Sequence, residues 1–288
     1  MPDLRPRRSV LYMPAVNERA IEKAKAIPAD AIIFDLEDAV APDAKPAARA
    51  QAVAAVRSGE YGNRELTIRC NGLDTEWGAS DIAAAGAASP SAVVIPKVDT
   101  VEQVDAVSAQ LDAAGASEST LIWPMIETPT AMFNVRSIAA HPRVAVLVMG
   151  TNDLAKELRS PIVAGRHPLV PHLATALLAA REAGKVILDG VYNDVKDPDG
   201  FAAECRQGME MGFDGKTLIH PSQVEPANDV WAPSADEVEY AQRVIAAFDE
   251  AVAEGKGVVT VDGRMIENLH VDSARRVLAT SAAITALR

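Results

Sequence analysis

Ala31-Ile32-Ile33-Phe34-Asp35-Leu36, followed at once by Glu37-Asp38, is the stretch on which the fold turns. It is a near-continuous apolar run of strand length with no in/out alternation, as a parallel strand covered on both faces requires. Seven similar runs accompany it: Ser9–Met13, Leu66–Arg69, Ala92–Pro96, Leu121–Ile126, Val144–Met149, Val186–Leu188 and Lys216–Ile219. Helical patterns fill the intervals. Thr100 with Gln103 reads as a capping box, followed by Val101, Val104, Val107 and Leu111 on one helix face. Asn17 and Asp43 are N-cap candidates for the helices after them. Strand and helix alternating eight times predict an α/β fold of the closed TIM (β/α)₈ type, with an open doubly wound sheet as the alternative.

The barrel is expected over residues 1–233, and 234–288 form a C-terminal arm. Ser234 with Glu237 starts a capped helix running to about Glu254, Asp262-Gly263 marks a hairpin within Val258–Ile266, and a last helix covers Val271–Leu287. A barrel closes without such an arm, so the arm reads as a lid or a contact between subunits.

The totals bound the function. At 288 residues the chain holds one large barrel or two ordinary domains, and its 49% hydrophobic share is mostly Ala, Val, Ile and Leu, with 4% aromatic. A net charge of −12 argues against nucleic acid or an anionic membrane as partner, though a few local cations suffice for a small phosphorylated ligand. Cys70 and Cys205 stand apart from any metal-ligand spacing, which fits a reducing cytoplasm. The basic segment Met1 to Arg8 is not followed by an apolar stretch of signal-peptide length, and no run is long enough for a bilayer. The expectation is a soluble cytoplasmic protein.

In such barrels the C-terminal strand ends form the active face. The second run ends in Asp35-Leu36-Glu37-Asp38, the third in Arg69-Cys70-Asn71, the fourth in Pro96-Lys97 and the fifth in Glu127-Thr128-Pro129. Gly150-Thr151-Asn152-Asp153 follows the sixth, Asp189 the seventh and His220-Pro221 the eighth. Glu127 and Asp153, on adjacent strands, are expected to share a hard cation, because converging carboxylates repel unless a cation sits between them. Two oxygen ligands plus water and substrate is the usual pattern for Mg²⁺. The competing reading makes them ion pairs, or Asp153 a helix cap. Arg69 reads as an anion or oxyanion clamp, or as a structural partner of Glu37 or Asp38. Lys97 meets a phosphate or carboxylate, or merely pairs with an acid. Arg19 and Lys23 are phosphate contacts or a solvated helix face, and His220 reads as a hydrogen-bonded structural histidine before a base. No nucleophile elbow, P-loop or dinucleotide fingerprint is present.

Several segments carry a resemblance. Ser9-Val10-Leu11-Tyr12-Met13-Pro14-Ala15, Phe34-Asp35-Leu36-Glu37-Asp38-Ala39-Val40, Ile95-Pro96-Lys97, Gly150-Thr151-Asn152-Asp153-Leu154 and Lys216-Thr217-Leu218-Ile219-His220-Pro221-Ser222-Gln223 are among them. With Arg69-Cys70-Asn71 and Ile126-Glu127-Thr128-Pro129, they resemble the citrate lyase β-subunit-like and malyl-CoA lyase branch of the HpcH/HpaI aldolase family. The resemblance implies a Mg²⁺-dependent barrel, with Mn²⁺ as a substitute. It cleaves or forms a C–C bond in a 3-hydroxyacyl-CoA thioester such as malyl-, β-methylmalyl- or citramalyl-CoA. The products would be acetyl- or propionyl-CoA and a 2-oxo acid, glyoxylate or pyruvate.

By the same resemblance Glu127 and Asp153 hold the metal, and Arg69 stabilises the thioester enolate. Glu37 and Asp38 orient Arg69 and the metal waters, and the amides of Gly150, Thr151, Asn152 and Asp153 hold the oxo-acid carboxylate. It further implies a homotrimer or dimer of trimers in which an arm aspartate reaches a neighbour's site. Here Glu267 stands at that position. Glutamate keeps the acidity with one more methylene, so it serves as base with a shifted reach, or favours hydrolysis through an activated water. A (3S)-malyl-CoA thioesterase is therefore the alternative activity. A third reading is a non-enzymatic scaffold subunit of a citrate lyase complex, or an enzyme acting on a free acid.

Overall fold

The computed structural model describes residues 5–287, so Met1 to Leu4 of the basic N-terminal segment lie outside it. Eight strands pair in parallel and in sequence order, and the last closes on the first: β1 (Ser9–Pro14), β2 (Ala31–Asp35), β3 (Glu65–Arg69), β4 (Ala92–Ile95), β5 (Leu121–Ile126), β6 (Val146–Met149), β7 (Val186–Asp189) and β8 (Gly215–Leu218). The fold is the (β/α)₈ barrel, not the open sheet. The helices are α1 (Glu18–Ala24), α2 (Lys45–Arg57), α3 (Gly78–Ala88), α4 (Val101–Ala113), α5 (Pro129–Ala140), α6 (Thr151–Glu157), α7 (Val170–Glu182), α8 (Pro198–Met211) and α9 (Val224–Val230). Local chemistry sets their starts. Asn17 accepts from the Ala20 N–H at 3.1 Å, and the Thr100/Gln103 capping box forms. Asp43 does not cap. Pro42 opens a single 3-10 turn, Pro42–Ala44, and α2 follows at Lys45 without a side-chain cap.

Alternate strand residues fill the barrel. Val10, Ala31, Ile33, Ala92, Val94, Trp123, Met125, Val146, Val148 and Leu188 form one buried cluster, with Tyr12 packed against it. The other parity, including Leu11, Ile32, Val93, Ile122 and Leu147, is equally buried and serves the helix layer. Both faces are therefore dry, which explains the unbroken apolar runs. The sixth run starts later than expected, because Val144 makes only an isolated bridge to Ile122.

Charged side chains also gather at the opposite, N-terminal end of the strands. There Arg7 pairs with Glu65 at 2.6 Å and Arg8 with Asp30 at 2.8 Å. Those groups neutralise one another in pairs, and the Arg7 guanidinium lies 5.4 Å from the centroid of the Trp123 ring.

The chain divides into two compact units, one of them Arg7–Val230, the other holding the chain from Trp231. In the latter, α10 (Ala235–Ala253) begins with the Ser234/Glu237 capping box. β9 (Val259–Val261) and β10 (Arg264–Ile266) pair antiparallel, and α11 (Asn268–Leu287) follows. Asp262 and Gly263 both have positive φ, 49° and 76°, which is the two-residue I′ hairpin turn. Ala241, Val244, Phe248, Val261, Ile266, Val271 and Ala274 give this unit a core of its own. Among the described residues no helix is long and apolar enough to cross a membrane.

Candidate active site

The inward parity of each strand continues past the apolar layer and sets the mouth. On β2 the series Ala31, Ile33 ends in Asp35, and its register places Asp35 beside Arg69, the last residue of β3. On β5 the series Trp123, Met125 leads to Glu127, and on β6 the series Val146, Val148 leads to Gly150. A polar ring thus sits directly on the hydrophobic plug.

Arg69 is the most constrained member. Its Nε and Nη2 each donate to one Asp35 carboxylate oxygen at 2.7 Å, a bidentate pair. Its guanidinium carbon lies 4.7 Å from the centroid of the Tyr12 ring. Nη1 stands 2.7 Å from Glu37 Oε2, but off the N–H direction, so that oxygen is buried without a hydrogen-bond partner. Asp38 is farther, at 3.8 Å, and 74% exposed. Asp35 is therefore the main clamp on Arg69, with Glu37 second. Asp35 also accepts from the Glu37 N–H at 2.9 Å, which fixes the turn. Lys45 supports the same turn from below, its Nζ donating to the Leu36 and Glu37 carbonyls at 2.9 and 3.1 Å and to Asn71 Oδ1 at 2.7 Å.

Glu127 is 2% exposed. It accepts from the Lys97 backbone N–H at 2.8 Å, an approach made by a left-handed Lys97 with φ 51°. A non-glycine residue held there is strained, by roughly 1–2 kcal/mol, and such strain gathers at functional sites. Burial, with the negative charges of Asp153 and Glu37 adding to it, pushes the Glu127 carboxyl up to about 7 despite the Lys97 amide and Arg69. Burial also raises the Glu37 carboxyl, Arg69 only partly opposing it. For Lys97 burial works against the charge, but Asp153, Glu127, Glu37 and Asp38 outweigh it and raise the ammonium pKa. Gly150 is required by contact, since a Cβ there would overlap Glu127 Cβ and Oε2.

Asp153 lies in the first turn of α6, which Gly150 caps through its backbone. Glu127, Asp153, Arg69, Asp35 and Asp38 line one cleft of about 360 Å³ together with Gly150, Thr151 and Asn152. Glu37 and Lys97 line a neighbouring cleft that also includes Asp38. Arg19 is exposed on α1 and does not line the main cleft. His220 is structural: its Nδ1 accepts from the Ser222 N–H at 3.2 Å at the head of a 3-10 turn. Glu267 belongs to the other unit, exposed ahead of α11, with its N–H donating to His270 Nδ1 at 3.0 Å.

The donor set suits a hard divalent cation. A carboxyl raised by burial, with neighbouring carboxylates adding to it, gains most from an added positive charge. The glycine beside it lets the Glu127 carboxyl lie where a Cβ would otherwise sit. Among the described residues no group of three or more His, Cys, Asp and Glu side chains is placed to hold a metal, so a cation on Glu127 and Asp153 would draw its other ligands from water and substrate.

Three features escaped the sequence reading. Asp35, named at its strand end but not as the clamp on Arg69, and Tyr12, inside the first run, both lie on the inward parity of their strands and could have been found from it. A buried network behind the mouth could not. Asp189 accepts from Arg166 Nη1 at 2.5 Å and from Lys216 Nζ at 2.8 Å, and Lys216 also reaches Glu204 at 2.8 Å.

The chain is an α/β barrel with carboxylates and a clamped guanidinium gathered at the C-terminal mouth of its strands. The profile of the HpcH/HpaI aldolase/citrate lyase family matches residues 8–221, and the chain belongs to that family. It is 51% identical to a (3S)-malyl-CoA thioesterase of Cereibacter sphaeroides over 283 residues, covering 98% of this chain and 97% of the relative. Identity to the citrate lyase β subunit of Escherichia coli is 35%, over 96% of this chain and 93% of that one. The structure resembles protein CitE of Mycobacterium tuberculosis, solved with magnesium, acetoacetate and coenzyme A. The TM-score is 0.79 and identity 28%, covering 95% of this chain and 97% of the other.

Proposed function

We propose that this protein is a Mg²⁺-dependent enzyme that hydrolyses the thioester of (3S)-malyl-CoA. The carrying observation is that Glu127, Asp153 and the clamped Arg69 line one cleft. The whole-chain similarity to malyl-CoA thioesterases favours hydrolysis over the alternatives. Mg²⁺ held by Glu127 and Asp153 would polarise a substrate oxygen as a Lewis acid, with Mn²⁺ able to replace it.

The chain's own groups do the rest. Arg69 donates to the thioester oxygen as negative charge develops on it, and Asp35 and Tyr12 hold the guanidinium so that little reorganisation is needed. The amides from Thr151 to Asp153, with the Lys97 ammonium, receive the free carboxylate of the acyl group; the Gly150 N–H, expected to join them, instead donates to the Ile126 carbonyl at 3.1 Å. Arg19 is proposed to contact a coenzyme A phosphate. Glu267 is the proposed arm carboxylate, removing a proton from the attacking water. Water adds to the thioester carbon, the C–S bond breaks, and malate and coenzyme A leave.

A second reading is favoured by the same clamp and by the citrate lyase relatives. An arginine that holds a tetrahedral oxyanion also holds an enolate, so cleavage of the C–C bond to acetyl-CoA and glyoxylate would use the same residues. Incubation with (3S)-malyl-CoA and Mg²⁺, with free thiol and glyoxylate assayed separately, decides between them. Thiol without glyoxylate supports hydrolysis, glyoxylate with acetyl-CoA selects the lyase reading, and neither product refutes both. EDTA should abolish whichever activity is present.

A further inference from the structure

We infer that Asn193 is a specificity-determining residue: with Asn152 it forms an amide clasp that closes the acid end of the catalytic cleft against substituents larger than hydrogen. The inference rests on the malyl-CoA hydrolysis proposed above.

Asn152 Nδ2 donates to Asn193 Oδ1 at 3.0 Å, and Asn193 Nδ2 donates back to Asn152 Oδ1 at 2.8 Å. This reciprocal pair joins the segment after β6 to the segment after β7. The same two segments also meet where Thr151 packs against Gly190, closely enough that a Cβ on Gly190 would overlap the Thr151 side chain. Behind the pair lies a second cavity of about 450 Å³ that shares Thr151, Asn152, Val191 and Asn193 with the catalytic cleft. Its apolar wall includes Ile162, Val163 and Leu169. Its floor is held firmly, because Arg166 is 3% exposed and bound to Asp189 and to Gln207. The partition between the cavities is therefore two exposed amides, paired by two hydrogen bonds, over a fixed base.

Position gives the clasp its role. Arg69 ends β3, whereas the clasp joins the β6 and β7 segments across the mouth. On the proposed reading, with the thioester at Arg69 and the free carboxylate at the amides that open α6, the remaining substituent on the hydroxyl-bearing carbon would face the clasp. In malyl-CoA that substituent is hydrogen, and in citramalyl-CoA it is methyl.

The test compares the two thioesters on the full-length protein with Mg²⁺. Asn193→Ala removes the clasp at an exposed position and should raise the citramalyl-to-malyl ratio of kcat/KM at least about tenfold, the lower end of what one methyl is worth in a pocket. Asn193→Asp keeps the volume but loses the Nδ2 donor, and should move the ratio the same way by less. Calorimetric binding of free malate and free citramalate should show the same shift without turnover. Unchanged ratios in both turnover and binding overturn the clasp while leaving malyl-CoA hydrolysis standing. An unaltered protein inert toward malyl-CoA overturns the proposed function, and the clasp with it.

Discussion

Glu127 links metal binding, pH and stability in a way that can be measured without substrate. Its carboxyl titrates near 7 in the fold against 4.5 ordinarily, chiefly because it is buried. A carboxyl raised in this way contributes stability that is fully present below about 4.5 and is lost as pH rises through about 7. At ~1.4 kcal/mol per pH unit, the difference amounts to roughly 3 kcal/mol. Metal-free protein should lose about that much from this one group between pH 5 and pH 8. For a unit of this size, ~3 kcal/mol corresponds to roughly 6–12 °C in Tm. Mg²⁺ binds the ionised form, so saturating Mg²⁺ should raise Tm little at pH 5 and most at pH 8. Thermal unfolding in EDTA and in Mg²⁺ across this range reads the effect. Glu127→Gln removes the titrating group, and its metal-free profile should be flatter than the unaltered protein's. A Mg²⁺ shift of equal size at pH 5 and pH 8, or an identical pH profile for Glu127→Gln, would refute the reasoning.

Asp35→Ala strips Arg69 of its bidentate partner in a buried setting and should cost about 3–5 kcal/mol of stability, measured by urea unfolding. It should also lower kcat by ~10²-fold or more through loss of the oriented donor. Gly150→Ala drives a methyl into the space of the Glu127 carboxyl; the expected result is loss of Mg²⁺ binding in calorimetry without loss of barrel circular dichroism. Glu267→Ala should suppress turnover by ~10²-fold or more while leaving Mg²⁺ affinity unchanged, because its carboxylate belongs to the other unit. Full activity in that variant would make the arm structural.

Much of the site was legible because β structure has a period of two. A run buried on both faces still sends alternate residues inward, so the residue that ends each inward series lies at the mouth. That rule places Asp35, Arg69 and Glu127 together at the mouth. Which carboxylate clamps Arg69 was not legible. Asp35, Glu37 and Asp38 lie within four residues of one another, and the choice fell to the β2–β3 register, which sets Asp35 level with Arg69. Lys97 shows a different limit. Its ammonium was the feature noted in the sequence, yet its backbone N–H, turned by a left-handed φ, is what touches Glu127.

The chain's local chemistry determined by itself the eight buried runs, the Asn17, Thr100 and Ser234 caps and the Asp262-Gly263 hairpin, because burial pattern, capping and turn geometry act over a few residues. Only the tertiary structure decided what lies beside what. Lys216 opens the eighth run in sequence, yet the stagger of a closed barrel sets it level with Asp189 at the end of β7. The resulting Arg166–Asp189–Lys216–Glu204 network draws on four separate segments, and no local pattern encodes it. Register, stagger and closure are long-range properties of strand pairing. The groups that fix Arg69 and support the mouth therefore became visible only when the barrel closed.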